Sequence, residues 1–179
     1  MKILDVISQR QSDRSYKAIP VEAEKVQLCI EAARLAPSAC NAQPWKFIVV
    51  DNQELIAEIA ASSASLGMNK FLSQVPVIVV VVLEKANAMS FVGGLLKGKD
   101  YTLMDIGIAV ETICLQATEL GLGSCIIGWF NEKKVKQLLR IPKSRKVPLI
   151  ISLGYAEGEK RAKIRKNTEE ICSYNGYGN

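Results

Sequence analysis

Pro76-Val77-Ile78-Val79-Val80-Val81-Val82-Leu83 decides the architecture of this chain. None of these side chains is polar, and the β-branched residues from Val77 to Val82 favour an extended backbone. A strand with one wet face alternates apolar and polar residues. An unbroken apolar run belongs to a strand covered on both faces. The stretch therefore predicts a central strand with helices above and below it. The full apolar run, Val75 to Leu83, is nine residues long, against the roughly 20 that span a bilayer.

Working outward, residues 45–50 (WKFIVV), 124–128 and 147–153 read as further strands. Residues 2–9 have helical character. After Pro20, Val26, Cys29, Ile30, Ala33 and Ala36 recur at helical spacing until Pro37. Residues 53–62 and 68–73 read as short helices. Tyr101 to Leu120 reads as a long helix, apolar on more than one face, which Gly121-Leu122-Gly123 ends. Residues 131–140 form a basic amphipathic helix with Val135, Leu138 and Leu139 inward, and residues 92–100 read as a loop. A short acidic helix follows the basic stretch 157–167. With no repeat and no linker, the expectation is one domain over 1–179. Its fold class is α+β, an α/β sandwich with a central, mostly buried sheet flanked by helices.

The composition narrows the chemistry. The chain has 179 residues, 49% of them apolar, which suits a packed core and argues against disorder. It contains no histidine. Ser-His-Asp triads, Cys-His dyads and HExxH zinc sites are therefore excluded, and no metal site is expected. Cysteines 29, 40, 114, 125 and 172 are odd in number and form no CxxC, which points to a reducing, cytoplasmic setting. The net charge is +5 but uneven, since residues 131–167 hold 12 basic and 3 acidic side chains. A phosphate-bearing partner suits such a stretch, although a solvated surface explains the charge alone more simply. Nucleic acid is disfavoured, because no zinc finger or RNP motif occurs and aromatics are few.

Two segments stand out. Arg10, Ser12 and Arg14 share a face if the chain is extended, placing two guanidinium forks around a hydroxyl. Taken alone, an exposed loop is the simpler reading. Between Pro37 and Pro44, Ser38, Asn41 and Gln43 supply donors and acceptors that could line a heteroaromatic edge, or merely stiffen a helix-to-strand connector.

Together, Arg10-x-Ser12-x-Arg14 and Pro37-Ser38-x-x-Asn41-x-Gln43-Pro44-Trp45 closely resemble the FMN-dependent nitroreductase family. The resemblance continues in order through Asp105-x-Gly107-x-Ala109, Gly121-Leu122-Gly123 with Ile127-Gly128, and Gly154-Tyr155 before the basic stretch. It implies a homodimer with FMN at the subunit interface, NADH or NADPH as electron donor, and a small acceptor such as a nitroaromatic or quinone. By this resemblance Arg10, Ser12 and Arg14 hold the phosphate and ribityl end, and Lys163 and Arg165 complete the phosphate clamp. Pro37, Ser38 and Asn41 line the flavin, some of them from the partner subunit. Asn69 and Lys70 contact its pyrimidine end, and the backbone at Ile127 and Gly128 approaches N5. Gln11 stands where the family often has a second basic residue. No side chain is assigned a catalytic role, because the flavin carries the hydride in a ping-pong cycle. The alternative is a flavin store or sensor that binds FMN without nicotinamide turnover.

Overall fold

The computed structural model describes residues 2–64, 67–85, 93–94 and 96–178. Helices α1 (Ile3–Gln9) and α2 (Ala23–Arg34) precede β1 (Trp45–Val50) and α3 (Gln53–Ser63). Strand β2 (Val77–Leu83), the long helix α4 (Tyr101–Glu119) and β3 (Gly123–Ile127) follow. Helix α5 (Glu132–Leu138), β4 (Lys146–Gly154) and the short α6 (Thr168–Ile171) complete the order.

The four strands form one antiparallel sheet in the order β1-β2-β4-β3. Strand β2 lies inside it, with Val80 facing Ile48 on one side and Ile150 on the other. Val77 to Val82 are at most 3% exposed. Their side chains divide by parity, as the pleat demands. Ile78, Val80 and Val82 join Val50, Cys125, Ile127 and Ile150 against Ile56 and Ile59 of α3. Val77, Val79 and Val81 join Ile151 and Leu153 against Val26, Cys29 and Ala33 of α2 and Ile106, Val110 and Ile113 of α4. The all-apolar run is thus read correctly as a doubly covered strand. Burying each such side chain contributes about 1.5–3 kcal/mol.

The local differences have physical causes. Residues 68–73 give a 3-10 turn at Lys70–Gln74, entered through Asn69 in the left-handed region (φ 58°). In the stretch 92–100, Gly93, Gly94, Leu96 and Lys97 are helical, because the two glycines tolerate a conformation that they do not announce. Val92 and Leu95 of that stretch lie outside the described residues.

The second apolar face read on the long helix is present. Leu103, Met104 and Ile108 of α4 are exposed, as are Ile3, Leu4 and Ile7 on α1, Leu28 on α2 and Leu35 just after it. Both α1 and α2 pack on α4. No helix among the described residues is long and apolar enough to cross a membrane.

Candidate functional site

The segment after α1 runs extended along the sheet end. Ser12 bridges Ser124 in parallel, the Asp13 N–H donates to Ser124 O at 2.9 Å, and Tyr16 bridges Ala156. The Tyr16 hydroxyl anchors it, donating to Asp13 O at 2.9 Å and lying in hydrogen-bond contact with Ser152 Oγ at 2.7 Å. Burial holds that phenol well above its usual range. Two glycines make the approach possible. A Cβ on Gly123 would meet Asp13 Oδ2 at 2.7 Å, and one on Gly154 would meet Tyr16 Cδ1 at 2.8 Å.

The basic C-terminal stretch docks on this same segment. Lys163 Nζ donates to Ile7 O at 2.6 Å, and Lys160 Nζ donates to Gln9 Oε1 at 3.3 Å. Arg161 donates from its backbone to Gln11 Oε1 at 3.1 Å and from Nη2 to Ser12 O at 2.8 Å. Gln11, placed where a second basic residue is common, therefore works as a dock for the tail. The predicted phosphate residues Arg10, Ser12, Lys163 and Arg165 are brought into one neighbourhood from opposite ends of the chain. Arg14 is exposed beside them.

The electrostatics of this cluster favour an anion. Desolvation, then Arg165, Arg10 and Lys160, hold the Lys163 ammonium below its ordinary value. Among the described residues, the one acid in ion-pair range of Arg10 is Glu111 on α4, at 3.4 Å. Among the described residues the buried Nε of Arg10 has no hydrogen-bond partner, while the Cys114 thiol lies within reach of the guanidinium. Crowded cations with an unused donor suit a phosphate monoester, which accepts several charge-assisted bonds at once.

The loop 37–44 is the second element. Its 3-10 turn, Ala39–Asn41, holds Cys40 (φ 52°) and Asn41 (φ 50°) in the left-handed region, and Gln43 (φ 45°) follows. Ser38 Oγ accepts from Gln43 N at 2.9 Å, and Gln43 Nε2 donates to Asn41 Oδ1 at 3.0 Å. Pro37 and Asn41 are exposed and Ser38 is half-buried, so all three can face a ligand. Ser38 and Asn41 bond within their own loop, and these bonds do not tie it to the cation cluster.

The third element joins Asn69 to the end of β3. Asn69 Nδ2 donates to Trp129 O at 2.5 Å and to Ser63 O at 3.4 Å. This places Asn69 beside the Ile127-Gly128 backbone and leaves its Oδ1 as the remaining acceptor. Lys70 is exposed and makes no ion pair among the described residues. The Ile127 side chain is buried in the core, so only its backbone can serve a ligand. Gly128 is exposed, its φ is not left-handed, and an added Cβ would meet only Leu149 Cδ2 at 3.6 Å. Internal packing does not require a glycine there.

The buried thiols offer no nucleophile in this arrangement. Burial pushes Cys29 up to about 12 and also raises Cys114 and Cys125, which keeps them as inert thiols. What the arrangement can do is grip an anion, line a ring and admit a close approach at Gly128. Gln11, Arg161, Lys160 and Asp105 were not singled out as site residues by sequence. Arg161 and Lys160 sit in the basic stretch, and Asp105 is a lone acid on the apolar face of a helix, which was the available signal.

Comparison with known proteins adds the lineage. Residues 7–155 match the family model described as the nitroreductase family. The chain is 32% identical to a putative NADH dehydrogenase/NAD(P)H nitroreductase of Archaeoglobus fulgidus, covering 88% of this chain and 87% of that one. It is 32% identical to the oxygen-insensitive NADPH nitroreductase of Helicobacter pylori strain J99, covering 97% and 100%. Among solved structures it resembles an FMN-dependent nitroreductase from Clostridium difficile R20291, with a TM-score of 0.81, 31% identity and coverage of 97% and 99%.

Proposed function

The chain belongs to the nitroreductase family, and from that premise we infer that it is an FMN-dependent NAD(P)H oxidoreductase. We propose further that it hands two electrons, in a ping-pong cycle, to nitroaromatic, quinone or similar small acceptors. FMN, when bound, supplies reversible two-electron hydride chemistry, so no histidine is needed.

The chain's own residues bind, orient and shield. The observation that carries this reading is the crowding of Arg10, Lys160, Lys163 and Arg165 from chain segments about 150 residues apart. Arg10, Ser12, Arg14, Lys163 and Arg165 hold the phosphate and ribityl end. Pro37, Ser38 and Asn41 line the ring. Asn69 offers Oδ1 to a ring N–H, and Lys70 brings a positive charge to the pyrimidine end, where it favours negative charge on the ligand. At Ile127 and Gly128 the backbone meets the ring, and the missing side chain leaves room for that contact.

A homodimer completes the reading. The exposed apolar residues of α1, α2 and α4 suit a second copy, and a partner's loop 37–41 can then reach a flavin held by the other subunit's cations. Five cysteines, odd in number and with no CxxC, suit the cytoplasm.

The test is a visible absorption spectrum of the FMN-saturated, desalted protein, before and after anaerobic NADH, then NADPH. A flavin band that bleaches with either is expected. A band that persists with both would replace the oxidoreductase with a flavin store or sensor. A colourless protein would remove FMN from the site.

A further inference from the structure

Asp105 is a carboxylate on the buried face of α4, only 4% exposed, among Ile106, Ala109 and Val110. Its Oδ1 accepts the Ala39 N–H at 3.0 Å, across 66 residues of sequence. Among the described residues its Oδ2 is buried without a hydrogen-bond partner. Burying a polar atom unpaired is unfavourable, and an apolar side chain of similar volume avoids that cost. Stability therefore does not account for an acid at this position.

The far end of the bond from Ala39 N–H supplies the reason. Ala39 begins the turn in which Cys40, Asn41 and then Gln43 lie in the left-handed region, where a Cβ crowds the backbone. The bonds from Gln43 to Ser38 and Asn41 stay inside the loop and can move with it. The bond to Asp105 ties the loop to the core.

We propose that Asp105 is a positioning residue: through the Ala39 N–H it holds the loop 38–43 in the strained shape that presents Ser38 and Asn41 to the ligand. This role rests on FMN being the ligand of the preceding subsection. It acts on binding geometry rather than on chemistry.

The experiment compares wild type, Asp105→Leu and Asp105→Asn for apo-protein melting temperature and for FMN affinity by fluorescence quenching. Asp105→Leu is expected to melt at or above the wild-type temperature and yet to bind FMN about tenfold or more weakly. Asp105→Asn keeps an acceptor for Ala39 N–H and is expected to stay within about threefold of wild type. Ala39→Pro removes the donor instead. Ser38 is already extended (φ −147°, ψ 154°), as a residue before proline must be, so the substitution asks no change of Ser38. It is expected to weaken FMN as Asp105→Leu does, and the double variant to be no weaker than either single one. Wild-type affinity in Asp105→Leu, losses that add in the double variant, or no rescue by Asn would each overturn the proposal. Ala39→Pro keeps the question open to test if Asp105→Leu fails to fold. Wild-type protein that binds no FMN would instead refute the functional reading itself.

Discussion

Strand β2 and the segment 157–178 occupy opposite ends of this molecule's range of burial. Val77 to Val82 are at most 3% exposed, bear no charge, and lie between two ladders and two helical layers. Every described residue of 157–178 is exposed, and the segment is held by Lys160, Arg161 and Lys163 bonding to residues 7–12. The strand gains its free energy from apolar burial, which is lost only if the core opens. The segment's cations can exchange a carbonyl or a water for a phosphate while the fold stays intact. Stability and anion binding are thus assigned to different parts of the chain.

That separation can be broken or sharpened by substitution. The largest effect on unfolding is expected from Ile78→Ala, since Ile78 is fully buried in β2. It should lower the unfolding free energy by about 2–5 kcal/mol, read from urea denaturation. A cost below about 1 kcal/mol would mean that the core does not depend on β2.

Gly154 lies where the two regions meet, and comes next. A Cβ there would meet Pro76 Cδ and Tyr16 Cδ1, both at 2.8 Å, so Gly154→Ala should cost about 1–3 kcal/mol. Gly128→Ala should leave stability within about 0.5 kcal/mol and show its effect in FMN affinity alone. Equal destabilisation by both would contradict the packing difference described.

Alkaline pH probes the core by another route. The unfolded chain releases its thiol protons near 9, whereas burial keeps that of Cys29 until about 12. Stability should therefore be flat at neutral pH and fall as pH rises above 9. The slope is about 1.4 kcal/mol per pH unit for each such thiol. Urea midpoints that rise between pH 9 and 10.5 would exclude buried neutral thiols.

The smallest effect on stability is expected at the tail. Lys163→Ala with Arg165→Ala should shift unfolding by no more than about 0.5 kcal/mol. At low salt the same pair should weaken FMN retention by about tenfold or more. Large destabilisation without loss of FMN would reverse the comparison.

The ease of reading differed between these regions for the same reason. An apolar run reports its own environment, so the doubly covered strand and the WKFIVV strand were legible residue by residue. The 3-10 turn at Lys70–Gln74 and the helical Gly93-Gly94 were not, because short elements depend on neighbours more than on local pattern. In the site, the candidate residues were named from motifs. The docking of Arg161 on Gln11 and Ser12, and the bond from Asp105 to Ala39, were not legible from local sequence. No local spacing relates residues 150 or 66 positions apart.

By itself the sequence determined the layered α+β class, the absence of histidine chemistry, and a basic C-terminal stretch. Hydrophobic patterning and composition are properties of the chain, and they carry this information without coordinates. Only the tertiary structure decided the strand order β1-β2-β4-β3 and the landing of the basic stretch on residues 7–12. It also decided that Gly123 and Gly154 admit the N-terminal segment and that a buried acid on α4 anchors a strained loop. Those outcomes follow from close packing and unsatisfied polar groups in three dimensions, which act between residues that sequence leaves far apart.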